Sequence, residues 1–217
     1  MIKEALFRQF SHPRGWLGRL VGMGMNVEHG GLWDWALAHV AVPADSAILD
    51  VGCGGGKSVG VLARLAHRGK VHGIDYSEEM VQLSRFLNRA LIRTGRAEIQ
   101  HASASRLPFP SYSFDLVACF ECCYFWEDMI EVLTQIARVL KENGLLLIAN
   151  EVYRDERFGD RNATWARLAN MQIYNAEEYR KFLTSAGYRV TEIDVRPEKN
   201  WITVVATPDR SAMHMTI

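Results

Sequence analysis

At 217 residues the chain has room for one domain of ordinary size with small additions, and too little for two comfortable ones. Lys plus Arg number 25 and Asp plus Glu number 25, so no net field draws in nucleic acid or an anionic membrane surface. An apolar share of 48% against 23% charged residues is that of a soluble globular protein. No apolar run approaches the roughly 18 residues of a membrane span. Met1 to Gln9 intersperses Lys3, Glu4 and Arg8 and is not a signal peptide. A cytoplasmic protein, monomeric or homodimeric, is expected.

Ile2 to Phe10 and Leu17 to Met25 read as helices broken at Pro13-Arg14-Gly15, and Leu32 to Val40 as a third. This helical cap, residues 1–40, precedes the main domain of residues 41–217. Trp16, Trp33, Trp35, Met23 and Met25 suit packing against a sheet edge. Val42 to Ser46 is a turn, and Ile48-Leu49-Asp50-Val51 is a short buried strand of parallel type that stops in Gly52-Cys53-Gly54-Gly55-Gly56. Lys57 to His67 follows as an amphipathic helix. Strand, glycine turn and helix start form a cradle in which backbone lies close to a ligand.

Three ligand classes use such a cradle. A phosphate loop needs a glycine five residues before Gly56-Lys57-Ser58, where the chain has Val51, so the loop is one residue short. A dinucleotide fingerprint from Gly52 needs Gly or Ala at its sixth position, where Lys57 is too large for close packing. Lys70 to Ile74 is the second strand, ending in Asp75 about 20 residues beyond the glycines, the spacing at which a βαβ unit brings an acid to a ribose. That signal indicates an adenosine-containing ligand without saying which.

Ser77-Glu78-Glu79 opens a helix running to about Arg93 and stopping at Thr94-Gly95. Ala97 to His101 is the third strand and Ser113 to Cys119 the fourth. Asp128 caps a helix running to about Lys141, terminated by Glu142-Asn143-Gly144. Gly144 to Asn150 is the fifth strand, and residues 151–175 read as an irregular lid. Ala176 to Ala186 is the last helix, before a closing strand pair, Tyr188 to Val195 and Trp201 to Ala206. The four cysteines are 53, 119, 122 and 123. They form no disulfide framework, and Cys119, Cys122 and Cys123 lack a second pair at zinc spacing, so no metal site is expected.

Leu49 to Gly56 resembles the first motif of class I S-adenosylmethionine-dependent methyltransferases, of the small-molecule type 11 group. Leu107-Pro108-Phe109, Phe114-Asp115-Leu116-Val117 and Arg138-Val139-Leu140-Lys141 before Gly144 match further segments, so the likeness spans about residues 41–206. It implies an α/β, Rossmann-like, doubly wound seven-stranded sheet of order 3-2-1-4-5-7-6 with the last strand antiparallel. It further implies that Gly52, Cys53, Gly54, Gly55 and Gly56 pass under the cofactor, with Asp50 toward the methionyl ammonium and Asp75 on the ribose. Tyr76 and Met80 would flank the adenine. Ser103 stands where many relatives have an Asp for the adenine amino group, and the Ala104 backbone would share that task. Cys119 and Phe120 would border the transferred methyl. Glu121, Tyr124 and His29 are the candidate bases, with Asn26 also near the methyl. The implied reaction is in-line transfer from S-adenosylmethionine to a small-molecule acceptor, leaving S-adenosylhomocysteine. The alternatives are an NAD-dependent oxidoreductase and a non-catalytic S-adenosylmethionine-binding partner protein. The cysteine cluster adds a minor option, a thiol-based metalloid methyltransferase.

Overall fold

The computed structural model describes residues 30–213. The two helices expected before Met25, together with Asn26 and His29, lie outside the described residues. The described chain begins with α1 (Gly30–Leu37), β1 (Ala47–Val51), α2 (Lys57–Leu65) and β2 (Lys70–Asp75). Next come α3 (Glu78–Leu87), α4 (Arg89–Arg93), β3 (Ala97–His101) and β4 (Phe114–Phe120). A short 3₁₀ turn (Cys123–Phe125), α5 (Met129–Val139) and β5 (Leu140–Asn150) lead to a second 3₁₀ turn (Glu156–Phe158). The chain then forms α6 (Gly159–Ala169), α7 (Ala176–Ser185), β6 (Tyr188–Arg196), β7 (Trp201–Pro208) and α8 (Arg210–Met213).

The seven strands form one sheet in the order β3-β2-β1-β4-β5-β7-β6, with β7 antiparallel to both its neighbours. Strand side chains alternate between two apolar faces, as the period of two requires. Leu49, Val51, Val117, Cys119, Leu146 and Ile148 meet α5 and α7 on one face. Ile48, Leu116, Ala118, Phe120, Leu147 and Ala149 meet α1 and α2 on the other. A sheet covered on both sides explains why β1 reads as a nearly continuous apolar run. Because β1 lies between β2 and β4, the chain leaves it in opposite directions, and a crevice opens beyond the carboxyl ends of these strands.

Four local expectations are corrected. The helix from residue 77 does not run unbroken to Arg93: it divides at Asn88, whose amide donates to Gly56 O at 2.8 Å and Ser84 O at 3.0 Å. The helix expected to reach Lys141 ends at Val139, and β5 starts at once, with an irregular register where Phe114 pairs Leu140 and Leu116 pairs Leu145. The third helix starts at Gly30 and ends at Leu37, short of Val40. Residues 151–175 are not irregular throughout, because α6 forms there.

Candidate active site

The crevice holds a cavity of about 460 Å³ at the carboxyl ends of β1, β2 and β4, within the range of small-molecule sites. Its floor is the glycine turn. Gly52, Gly54 and Gly56 all have positive φ, at 70°, 49° and 85°, a region that other residues enter only at a cost. The turn is held by Cys53 N–H donating to Ile74 O at 2.9 Å and Gly56 N–H donating to Cys53 O at 2.9 Å. At Gly52 a Cβ would lie 2.6 Å from Cys122 Cβ, so β4's continuation and the turn are packed too closely for any side chain. At Gly54 a Cβ would meet no protein atom within 4 Å, because that α-carbon faces the open cavity.

Two carboxylates bracket this turn. Asp75, at the end of β2, accepts from Gly54 N–H at 2.9 Å through Oδ2 and from Ser77 N–H at 2.9 Å through Oδ1. Each oxygen keeps further acceptor capacity toward the cavity that Asp75 lines. Burial raises the Asp75 carboxyl above its ordinary range, against the lowering by those backbone donors. Asp50 lies beneath the turn: Ser58 Oγ donates to its Oδ2 at 2.5 Å, while Oδ1 is buried with no hydrogen-bond partner. Burial is the main cause that pushes Asp50 up to about 7, and Asp75's charge adds to it. These features fit S-adenosylmethionine: an unpartnered buried carboxylate oxygen suits an ammonium, Asp75 suits a pair of hydroxyls, and the bare Gly54 backbone admits close approach.

The adenine-side residues Tyr76, Met80, Ser103 and Ala104 also line the cavity. Ser103 is exposed, with its hydroxyl 2.8 Å from that of Ser105. The loop that carries Ser103 and Ala104 is anchored from behind by Arg138, which donates to Leu107 O at 2.9 Å and Phe109 O at 2.7 Å.

Beyond β4 the wall is built around Glu121, a non-glycine residue at φ 56°, an uncommon conformation for such a side chain. Its Oε1 accepts from Tyr124 OH at 2.9 Å and from Glu151 N–H. Tyr124 is buried, and burial together with Glu121's charge pushes its hydroxyl well above the usual tyrosine range. At neutral pH it is therefore a hydrogen-bond donor to Glu121. Beneath lies a buried network in which Asn150 Nδ2 donates to Tyr179 OH at 2.8 Å and Cys123 Sγ at 3.0 Å. The segment after β5 closes this side: Tyr124, Val152, Ala169, Met171 and Ile173 form a small core of their own, and Gln172 N–H donates to Tyr124 O at 2.9 Å.

The structure thus brings Gly52, Cys53, Gly54, Gly55, Asp75, Tyr76, Met80, Ser103, Ala104, Phe120, Glu121 and Tyr124 to one cavity. Asp50, Gly56 and Cys119 sit behind its surface and do not line it. The cysteines are free and buried, and no metal-holding group of His, Cys, Asp and Glu occurs among the described residues. Sequence reasoning missed Ser58, Asn170 and Gln172. Asn170 caps α6 in the left-handed region at φ 53°, an asparagine stop signal hidden by the weak pattern of the helix before it.

Comparison with known proteins agrees. Residues 49–148 match the family model described as methyltransferase domain. Over 152 residues the chain is 35% identical to an O-methyltransferase of Pyrenophora dematioidea, covering 69% of this chain and 57% of that protein. It is 34% identical over 152 residues to an O-methyltransferase of Penicillium expansum, covering 69% of this chain and 54% of that one. The chain therefore spans little more than half the length of these curated relatives. Among solved structures, the complex between the Haloferax volcanii Trm112 methyltransferase activator and a methyltransferase superposes with a TM-score of 0.76 at 25% identity, covering 88% of this chain and 94% of that one. These relatives are methyltransferases and not oxidoreductases, and no helix among the described residues is long and apolar enough to cross a membrane. Sheet order, glycine turn and sequence likeness coincide over the same stretch, and the chain belongs to the class I S-adenosylmethionine-dependent methyltransferases.

Proposed function

We propose that this protein binds S-adenosylmethionine in the switch-point cavity and catalyses methyl transfer to an oxygen of a small organic acceptor, leaving S-adenosylhomocysteine. The observation that carries the reading is the pairing of Gly54 with Asp75: one 2.9 Å hydrogen bond fixes a bare backbone and a carboxylate side by side at the cavity. The choice of oxygen as the attacked atom rests on the names of the Pyrenophora and Penicillium relatives. When bound, the cofactor supplies a methyl group already activated by its sulfonium charge. The protein's part is then chiefly alignment, which can lower the barrier by roughly 7 to 11 kcal/mol.

Asp75 would hold the ribose, and Asp50, one layer behind the glycine turn, would favour the methionyl ammonium by its charge; Tyr76 and Met80 would flank the adenine, with Ser103 and Ala104 at its edge. Cys119 supports the strand end from within the core, and Phe120 closes the methyl side. Glu121 takes the proton from the acceptor hydroxyl. Tyr124 positions Glu121 by donating to it, and His29 is a further candidate base outside the described residues. Residues 1–40 act as a cap and residues 151–175 as a lid on the domain of residues 41–217. The protein works in the cytoplasm as a monomer or homodimer.

Calorimetric titration with S-adenosylmethionine, S-adenosylhomocysteine and NADH tests the cofactor assignment. The first two are expected to bind at micromolar concentration, and Asp75→Ala to weaken both by about 100-fold, as loss of charged hydrogen bonds implies. NADH binding alone would sink the assignment. For the base, Glu121→Gln is expected to lower turnover by about 10² or more while leaving cofactor affinity in place. Turnover unchanged at every pH would remove Glu121 from that role.

A further inference from the structure

Among the described residues, the cavity carries charge of one sign. Among the described residues lining it, Asp75, Glu121, Glu127, Asp128 and Glu131 are the charged side chains, all carboxylates, and no Lys, Arg or His lines it. The chain as a whole balances 25 basic against 25 acidic residues, so this is a local property of the site.

The five acids fall into two groups. Asp75 and Glu121 are occupied within the machinery, by Gly54 and Ser77 in one case and by Tyr124 and Glu151 in the other. Glu127, Asp128 and Glu131 are exposed at the wall formed by the turn into α5. Asp128 caps that helix by accepting from Glu131 N–H at 3.0 Å, and none of the three is ion-paired with a Lys or Arg among the described residues. Directly before them in the chain, Phe125 and Trp126 line the same cavity. Aromatic faces beside unpaired carboxylates attract a cation through both ring quadrupole and charge. A site for an anionic acceptor needs Arg or Lys as its partner.

We infer that the acceptor is a cation: a flat, largely apolar molecule bearing a protonated amine, its ring against Phe125 and Trp126 and its ammonium toward Glu127, Asp128 and Glu131. The inference rests on methyl transfer in this cavity and specifies the substrate class. The carboxylates then select by charge, while the aromatic wall orients the ring so that its hydroxyl faces Glu121.

The test measures equilibrium binding of three matched phenols, tyramine, para-ethylphenol and para-hydroxyphenylpropionate, to protein saturated with S-adenosylhomocysteine. Tyramine is expected to bind about tenfold more tightly than the neutral phenol at low salt, with the carboxylate probe weakest, and the spread to narrow as salt screens the exposed acids. The double variant Glu127→Gln, Glu131→Gln is expected to remove most of the preference while S-adenosylhomocysteine affinity stays unchanged. Tyramine binding no tighter than para-ethylphenol, or a preference that survives in the double variant, overturns the inference. Failure of S-adenosylhomocysteine to bind before any probe is added would sink the methyl-transfer reading, and this inference with it.

Discussion

Gly56→Ala is expected to destabilise the fold by about 2 to 5 kcal/mol and to lower the melting temperature by roughly 5 to 15 °C. Gly56 stands at φ 85°, where an L side chain is strained by about 1 to 2 kcal/mol. The space is also filled: a Cβ there would lie 2.2 Å from Ser84 Oγ and 2.6 Å from Asn88 Nδ2. Both neighbours are buried, and Asn88 cannot swing away without giving up its bonds to Gly56 O and Ser84 O. Gly54→Ala supplies the contrast. It shares the positive φ but has no protein neighbour within 4 Å, so its cost in stability should be only about 1 kcal/mol. Its methyl group would instead project into the cavity, and S-adenosylmethionine binding should fall by an order of magnitude or more. Thermal melts and calorimetry on the two variants check both halves. Equal destabilisation would show that conformational strain outweighs the clash at Gly56.

Asp50 is expected to make the ligand-free protein less stable as pH rises from about 4 to about 7. Its carboxyl is raised from 3.8 to about 7, chiefly by burial. Across that window the native state keeps a proton that the unfolded chain has released. Stability is therefore full below the unfolded value and declines until the folded value is passed, by up to about 4 kcal/mol. Denaturant unfolding of the wild type and Asp50→Asn at about pH 5 and about pH 8 isolates this component, because the asparagine does not titrate. The difference between these two pH values should be smaller in Asp50→Asn by about 3 kcal/mol, the part of the decline that falls above pH 5. An identical difference in both proteins would assign the pH dependence to other groups. Binding reverses the sign: an ammonium held above the glycine turn, near the buried Asp50, favours its ionised form. Cofactor binding near pH 6 should then release a proton, measurable as a dependence of the binding heat on buffer ionisation.

Much of the framework was legible because its signals are local. The apolar run ending at Val51 and the glycines after it needed only the strand's abrupt stop and the permissive backbone of glycine. Asp75 was legible from its distance along a βαβ unit. Ser77 and Asp128 were legible as caps, and their side chains do accept from Met80 N–H and Glu131 N–H. The strand order followed from the family likeness, and periodicity alone would not have supplied it.

Other features depend on groups that meet only in the folded chain. The break at Asn88 arises because its amide is drawn to Gly56, 32 residues away. α6 forms from a weakly patterned segment because the small core around Tyr124 packs Trp165 and Ala166 against it, a tertiary gain that outweighs modest intrinsic propensity. The burial that raises Asp50, and the convergence of acids from the end of β2, the residue after β4 and the start of α5 on one cavity, are likewise invisible in a balanced composition. The sequence by itself determined where strands stop, where the backbone must turn and which acid follows the second strand, since backbone sterics and short-range hydrogen bonds decide these. Only the tertiary structure decided the charge and proton affinity of the site, because electrostatics depends on distance and burial in space.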